Sequence, residues 1–283
     1  MDAGVAEFLL SPIVLALLGL CIGSFLNVVI HRLPLMLERS WRRESAELLG
    51  VKVDEAEPVT LASPPSRCPS CGHPIAWYEN LPVLSYMVLR GRCSACKAPI
   101  SARYPVIEIL TAALFALIGW RFGPQPVALL WCAFAAVLVA LAGIDWDTTL
   151  LPDSMTLPLL WAGLVASALG WTLPLPDALW GAVAGYLSLW SIYWLFKLTT
   201  GKEGMGFGDF KLLAATGAWL GFKMLLPIVL AASLIGAVVG IVMKLGAALR
   251  EGRYVPFGPF LAGAALLVML AGQSRVLVWL GWA

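Results

Sequence analysis

Long apolar runs alternate with short polar breaks along this chain. Eight runs stand out, at about 9–31, 105–121, 126–144, 155–172, 177–197, 209–221, 224–247 and 257–281. Crossing a ~30 Å hydrocarbon core takes ~20 helical residues, and most of the runs meet that length. The sixth is short and is expected as a tilted or half-buried helix. Only the break after the first run is long enough to fold by itself. The pattern predicts an all-α polytopic membrane protein of about eight transmembrane helices, with a small cytoplasmic domain inserted after the first. Its parts are residues 1–31, 32–104 and 105–283.

Composition agrees. Of 283 residues, 60% are hydrophobic and 13% charged, where a soluble domain carries ~25%. The first run opens with Asp2 and Glu7 rather than a basic segment and has no small-residue cleavage site, so it is expected as a retained helix. The net charge of +2 says nothing about partners, and no nucleic-acid partner is expected. Where the charges fall is more informative. With residues 32–104 in the cytoplasm and the eight runs threaded in turn, only Arg121, Lys223 and Arg275 of the nineteen Lys and Arg lie on the far side. The positive-inside rule requires such a bias, and it sets both termini on the outer side.

Within 32–104, the first half from Leu37 to Pro65 is charged and without apolar period, which predicts a surface helix and then a loop. The second half carries Cys68-Pro69-Ser70-Cys71 and Cys93-Ser94-Ala95-Cys96, separated by 21 residues. This is the spacing of a closed, structural four-thiolate zinc knuckle. Two disulfides would use the same residues, but the cytoplasm is reducing. Trp77, Tyr78, Leu81, Leu84 and Tyr86 are expected to supply a small core around the Zn2+. His73 is expected at the surface, and Cys21 and Cys132 as inert packing residues in apolar helices.

Two acidic residues break the apolar pattern. Asp145 opens Asp145-Trp146-Asp147-Thr148-Thr149-Leu150-Leu151-Pro152-Asp153 at the end of the third run. Asp209 closes Gly204-Met205-Gly206-Phe207-Gly208-Asp209 at the start of the sixth. Carboxylates at membrane depth are costly and mark function. Two that meet can share a proton and activate water, as in aspartic proteases. Asp147 is a rival for the first role, or a solvated loop residue. Asp153 suits the N-cap of the next helix. Lys211 points to a different helix face from Asp209 and could hold an anionic group. The glycines at 201, 204, 206 and 208 fit close approach of a substrate backbone, and no phosphate-binding pattern follows a strand here.

Other classes use the same ingredients. A transporter or channel relaying protons through paired acids fits the composition, but no internal repeat is evident and both acidic motifs share one membrane face. A non-catalytic assembly factor would have no reason to keep both aspartates.

Gly23-Ser24-Phe25-Leu26-Asn27-Val28-Val29-Ile30-His31-Arg32-Leu33-Pro34, the two Cys pairs, Trp77-Tyr78-Glu79-Asn80-Leu81-Pro82, Arg103-Tyr104-Pro105, the Asp145 motif and Gly206-Phe207-Gly208-Asp209 together resemble the bacterial type IV prepilin peptidases. The likeness runs over nearly the whole chain; only about 40–62 carries no matching motif. The resemblance implies an inner-membrane, bifunctional enzyme. It would cleave the leader of type IV prepilins and type II secretion pseudopilins at the cytoplasmic face, then methylate the new amine with S-adenosylmethionine. It implies Asp145 and Asp209 as catalytic, Cys68, Cys71, Cys93 and Cys96 as zinc ligands, and a methyltransferase function in the N-terminal part. Gly23, Asn27 and Glu108 are the candidate region for the methyl donor. Each has a plainer role: close helix packing for Gly23, an interhelical hydrogen bond for Asn27, a snorkelling acid for Glu108.

Overall fold

The computed structural model describes residues 3–52, 59–245 and 255–282, all helix and loop apart from two isolated β-bridges. The helices are α1 (Ala3–Leu9), α2 (Pro12–Leu49), α3 (Leu84–Val88), α4 (Arg103–Phe122), α5 (Val127–Thr148), α6 (Asp153–Ala168), α7 (Leu175–Thr200), α8 (Phe207–Leu220), α9 (Leu225–Leu245), α10 (Gly258–Ala271) and α11 (Gln273–Trp279). Among the described residues α2, α4, α5, α7 and the helix 222–245 are long and apolar enough to cross a membrane. The pair α10–α11 makes a sixth if it is one span, bent by 100°. The chain divides into two units, Met1–Ala136 and Val137–Ala283, with the boundary inside α5.

Three elements differ from the sequence reading. The surface helix expected after residue 37 is no separate element: α2 runs unbroken from Pro12 to Leu49, ~57 Å at 1.5 Å per residue. Pro34 lies within it where the apolar run gives way to charge. The rest of the expected loop falls partly on 53–58, outside the described residues. The last run, read as one helix, breaks at Gly272, whose φ of +86° suits only glycine at low cost. The short sixth run is α8, the most enclosed helix of its unit. From Asp209 to Leu220 every residue but Lys211 is buried.

In the first unit α2 and α4 cross antiparallel through small residues. A Cβ on Gly19 would lie 2.7 Å from Ala112 Cα, and one on Gly23 2.7 Å from Glu108 Cα. Small residues four apart let backbones approach, which is how helices associate where the hydrophobic effect between them is absent. In the second unit α7 meets α8 the same way. Gly181 and Gly217 face each other with no room for a side chain, and a Cβ on Gly185 would come 2.7 Å from Leu213 O. Gly181→Leu is therefore expected to force the two helices apart and cost about 1–3 kcal/mol or more. A fall in the thermal unfolding midpoint in detergent would show it. Gly240→Ala, where a Cβ meets nothing within 4 Å, should change that midpoint little.

Candidate functional site

Each Cys pair sits on a tight knuckle of the same design. In the first, the Gly72 N–H donates to Cys68 O and the Cys68 N–H to His73 O; in the second, Lys97 donates to Cys93 O and Cys93 to Ala98 O. Bridges pair Arg67 with Pro74 and Arg92 with Pro99. Gly72 and Lys97 hold equivalent places, at φ of +72° and +62°. The knuckles bring all four Sγ atoms within 4.8 Å of one another, with Cys68–Cys96 at 3.8 Å and Cys71–Cys93 at 4.0 Å. The Ser70 and Cys71 amides donate to Cys68 and lower it to about 6. The Cys96 and Ala95 amides likewise lower Cys93. The His73 amide favours the Cys71 thiolate, but the Cys96 thiol, burial and the other two thiols outweigh it, and Cys71 is pushed up to about 12. Four thiolates so crowded ionise together only around a cation, so the cluster could hold a metal ion.

The small core expected between the pairs is not there. Among described residues of 59–100, only Cys68 and Cys93 are buried. Trp77 is 78% exposed and Leu84 57%. Tyr86 alone of the five closes inward, against Gly91. Among the described residues of this domain the cysteine cluster is therefore the only buried centre. His73 is half-buried rather than a plain surface residue, with Nε2 3.4 Å from Glu79 Oε2. The Ser94 side chain, the Ala76 amide and His73 hold the Glu79 carboxyl below its usual range.

Gly23, Asn27 and Glu108 do come together, on the facing sides of α2 and α4. Asn27 Nδ2 donates to Gly23 O and to Tyr104 O, both at 3.2 Å, the interhelical bond its position suggested. Glu108 does not snorkel. It is buried, and it accepts from the Val83 N–H at 2.7 Å and from the Ser24 hydroxyl. Val83 has φ +60°, a costly conformation for a β-branched residue. The carboxylate thus fastens a strained loop to a membrane helix.

The second unit holds the aspartates. Asp145 is in the last turn of α5 and Asp209 in the first turn of α8; they are 5% and 8% exposed. Among the described residues they are the only buried charged groups of this unit. Asp145 Oδ2 accepts from the Gly258 N–H at 2.9 Å. Asp209 Oδ1 is buried with no hydrogen-bond partner. An unpaired buried carboxylate oxygen is costly, so Asp209 Oδ1 is an acceptor still to be satisfied. Leu151 fills the space beside both motifs: Cβ atoms on Gly208 and Gly258 would reach it at 2.7 and 3.3 Å.

Of the neighbouring polar residues, Asp147 is exposed. Asp153 is not an N-cap. Pro152 takes that place, and the Asp153 carboxylate receives Lys211 Nζ at 2.7 Å on both oxygens. Lys211 thus pairs α8 with α6 rather than standing open for an anion. Sequence reading missed Gly258 altogether, although Pro256-Phe257-Gly258-Pro259 at the mouth of an apolar run was a visible signal. A Cβ there would lie 2.5 Å from Asp145 Oδ2. Gly258→Ala is therefore expected to displace Asp145 and lower any activity that depends on it by at least about tenfold, the effect of losing one positioning contact. Gly263→Ala, on the same helix with nothing within 4 Å of its Cβ, should be harmless. Equal activity in the two variants would mean that Asp145 is not needed where it stands.

Residues 17–122 match the bacterial peptidase A24 N-terminal domain, and residues 132–241 match the type IV leader peptidase family. Among similar proteins are a prepilin leader peptidase/N-methyltransferase of Pseudomonas putida, 53% identical over 91% of this chain and 89% of the relative, and one of Pseudomonas aeruginosa, 49% identical over 94% and 92%. A third, from Aeromonas hydrophila, is 53% identical over 91% and 90%. No solved structure matches the chain.

Proposed function

Because the chain belongs to the type IV leader peptidase family, we propose that it is a membrane aspartic endopeptidase and N-methyltransferase. It removes the leader of type IV prepilins and type II secretion pseudopilins, then methylates the exposed amine with S-adenosylmethionine. The observation that carries the peptidase reading is the pair of buried carboxylates, Asp145 and Asp209, one of them with an oxygen that no protein group satisfies. In this reading one carboxylate takes a proton from a water while the other donates one to the scissile carbonyl oxygen. The hydroxide adds to the carbonyl carbon; as the C–N bond breaks, the proton taken from water passes to the leaving amine and the proton on the former carbonyl oxygen returns to the carboxylate that gave it. Gly258 N–H keeps Asp145 aimed, and Leu151 keeps bulk water out.

The cysteine cluster is read as a Zn2+ site. A tetrahedron with ~2.3 Å metal–sulfur bonds has edges of ~3.8 Å, against observed Sγ–Sγ separations of 3.8 and 4.0 Å. With four thiolates the site has no open position, so zinc would supply structure rather than chemistry. Residues 32–104 with the first helix are read as the methyltransferase region, with Gly23, Asn27 and Glu108 as its candidate membrane face, and 105–283 as the peptidase region.

The protein is read as a multi-pass protein of the bacterial inner membrane. The charge bias sets both aspartate motifs to the cytoplasm and both termini outside. Eight crossings remain the reading that fits this bias. α6 and α8, ~24 and ~21 Å long, fall short of the ~30 Å core. For α8 the deficit is tolerable, because its length is covered by protein rather than lipid. Incubating the purified protein with a prepilin and following the mass of the product tests the whole assignment. Loss of the leader mass and then gain of a methyl are expected; an unchanged substrate would leave the transporter or assembly-factor classes.

A further inference from the structure

The apolar stripe and the basic hollow of the zinc domain have no part in either proposed chemistry. On α3, Leu84, Met87 and Val88 stand at i, i+3 and i+4 and so share one face. That face is open, at 57%, 60% and 80% exposure, while Tyr86 turns the other way into the domain. Trp77, at 78%, is open as well. Val88 then forms the edge of a hollow of about 450 Å³, whose wall is Leu89, Arg90, Arg92 and Lys97.

The fold fixes where this face lies. Val83, one residue before α3, donates its N–H to Glu108, five residues and ~7.5 Å along α4 from Arg103. Glu108 packs on Gly23 of α2, which is ~13 Å along that helix from Arg32, the point where charge begins. Arg32 in turn donates to the Thr60 and Pro64 carbonyls at 3.0 and 2.7 Å. The loop before α3 is therefore held below the level at which α2 and α4 become polar. Interfacial helices bury an apolar face ~5–10 Å into the boundary between headgroups and acyl chains. The depth and the pattern agree.

We propose that residues 77–97 seat the zinc domain on an anionic lipid surface, with Leu84, Met87 and Val88 among the acyl chains and Arg90, Arg92 and Lys97 holding a phospholipid headgroup in the hollow. Charge complementarity selects the occupant: the hollow presents three cations and no acid, and the stripe beside it is apolar. The assignment rests on the helices crossing a membrane, not on which aspartates cut.

The test uses the full-length, zinc-loaded protein in nanodiscs of phosphatidylcholine with or without phosphatidylglycerol. A bimane dye is attached at Val88→Cys in a Cys21→Ser background, with Met87→Cys as a second reporter. The aqueous control is Leu48→Cys, near the far end of α2 and 88% exposed. Nitroxide on the lipid chains should quench the dye at 88 or 87, and iodide should quench it several-fold less than the dye at 48. The Arg90→Gln, Arg92→Gln double variant, checked for unchanged zinc content, should lose about 25-fold in preference for phosphatidylglycerol, since each basic residue at such a surface gains about fivefold. Iodide quenching at 87 and 88 equal to that at 48 would overturn the proposal. So would protection that appears only when a prepilin is added, which would make the face a protein-docking surface. A lipid preference unmoved by the double variant would remove the headgroup from the hollow.

Discussion

Asp145→Asn and Asp209→Asn should each abolish leader cleavage while the protein stays folded and still methylates a pilin supplied without its leader. Asparagine keeps the size and much of the hydrogen bonding of aspartate but cannot take or give the proton. General acid–base catalysis contributes ~10²–10⁴-fold, so losses in that range or beyond are expected for either change. Folding has reason to survive. In the Asp145→Asn variant the side-chain amide oxygen would still accept the Gly258 N–H, and removing one of two adjacent buried acids relieves a repulsion. Asp147→Asn should be mild, because that side chain is exposed. Asp153→Asn should also be mild, because a partly exposed pair such as Asp153–Lys211 contributes only ~0.2–1 kcal/mol. The decisive measurement is the gel shift of a prepilin treated with matched amounts of all four variants. Wild-type turnover in either the Asp145 or the Asp209 variant would overturn the pair, and a dead Asp147 variant beside a live Asp145 one would move the first role two residues along.

The other large effect is expected from the metal. Structural zinc binding is worth ~10–16 kcal/mol in small domains, and between the Cys pairs there is no buried apolar residue to compensate its loss. The Cys71→Ser, Cys96→Ser double variant, or prolonged chelation, should therefore remove the metal and open residues 66–100 to protease. Methyl transfer should suffer more than cleavage, since the aspartates lie in the other unit. Metal content by mass spectrometry and limited proteolysis read the two effects separately. One metal per chain and an unchanged digestion pattern in the double variant would mean that the cysteines are not its ligands.

Much of this protein was legible from one-dimensional pattern. Apolar runs of helical length marked α4, α5, α7 and α9 to within a few residues and the start of α2, though not its charged extension to Leu49, because lipid leaves a spanning segment little choice but helix. Two Cys-x-x-Cys motifs predicted a four-thiol cluster, and local knuckle geometry suffices to build half of it. The error beside it is instructive. Trp77, Leu81 and Leu84 look like a core in a water-soluble context, but next to a membrane an apolar side chain has a second place to go, so exposure could not be read from residue type.

The sequence by itself determined the helices, the two knuckles, and the presence of costly acids at the ends of α5 and α8, since each depends on neighbours in the chain. Only the tertiary structure decided what those acids touch. That Asp145 is held by a backbone amide of α10, that Asp209 has a buried oxygen no protein group satisfies, and that Glu108 pins Val83 are facts about residues far apart in sequence. The glycine face that lets α2 meet α4 at backbone contact brings Glu108 to its place, and the one between α7 and α8 encloses the helix that carries Asp209. A hydrophobicity pattern records how much surface a helix hides, not which partner hides it, and the distance between two carboxylates is set by the partner.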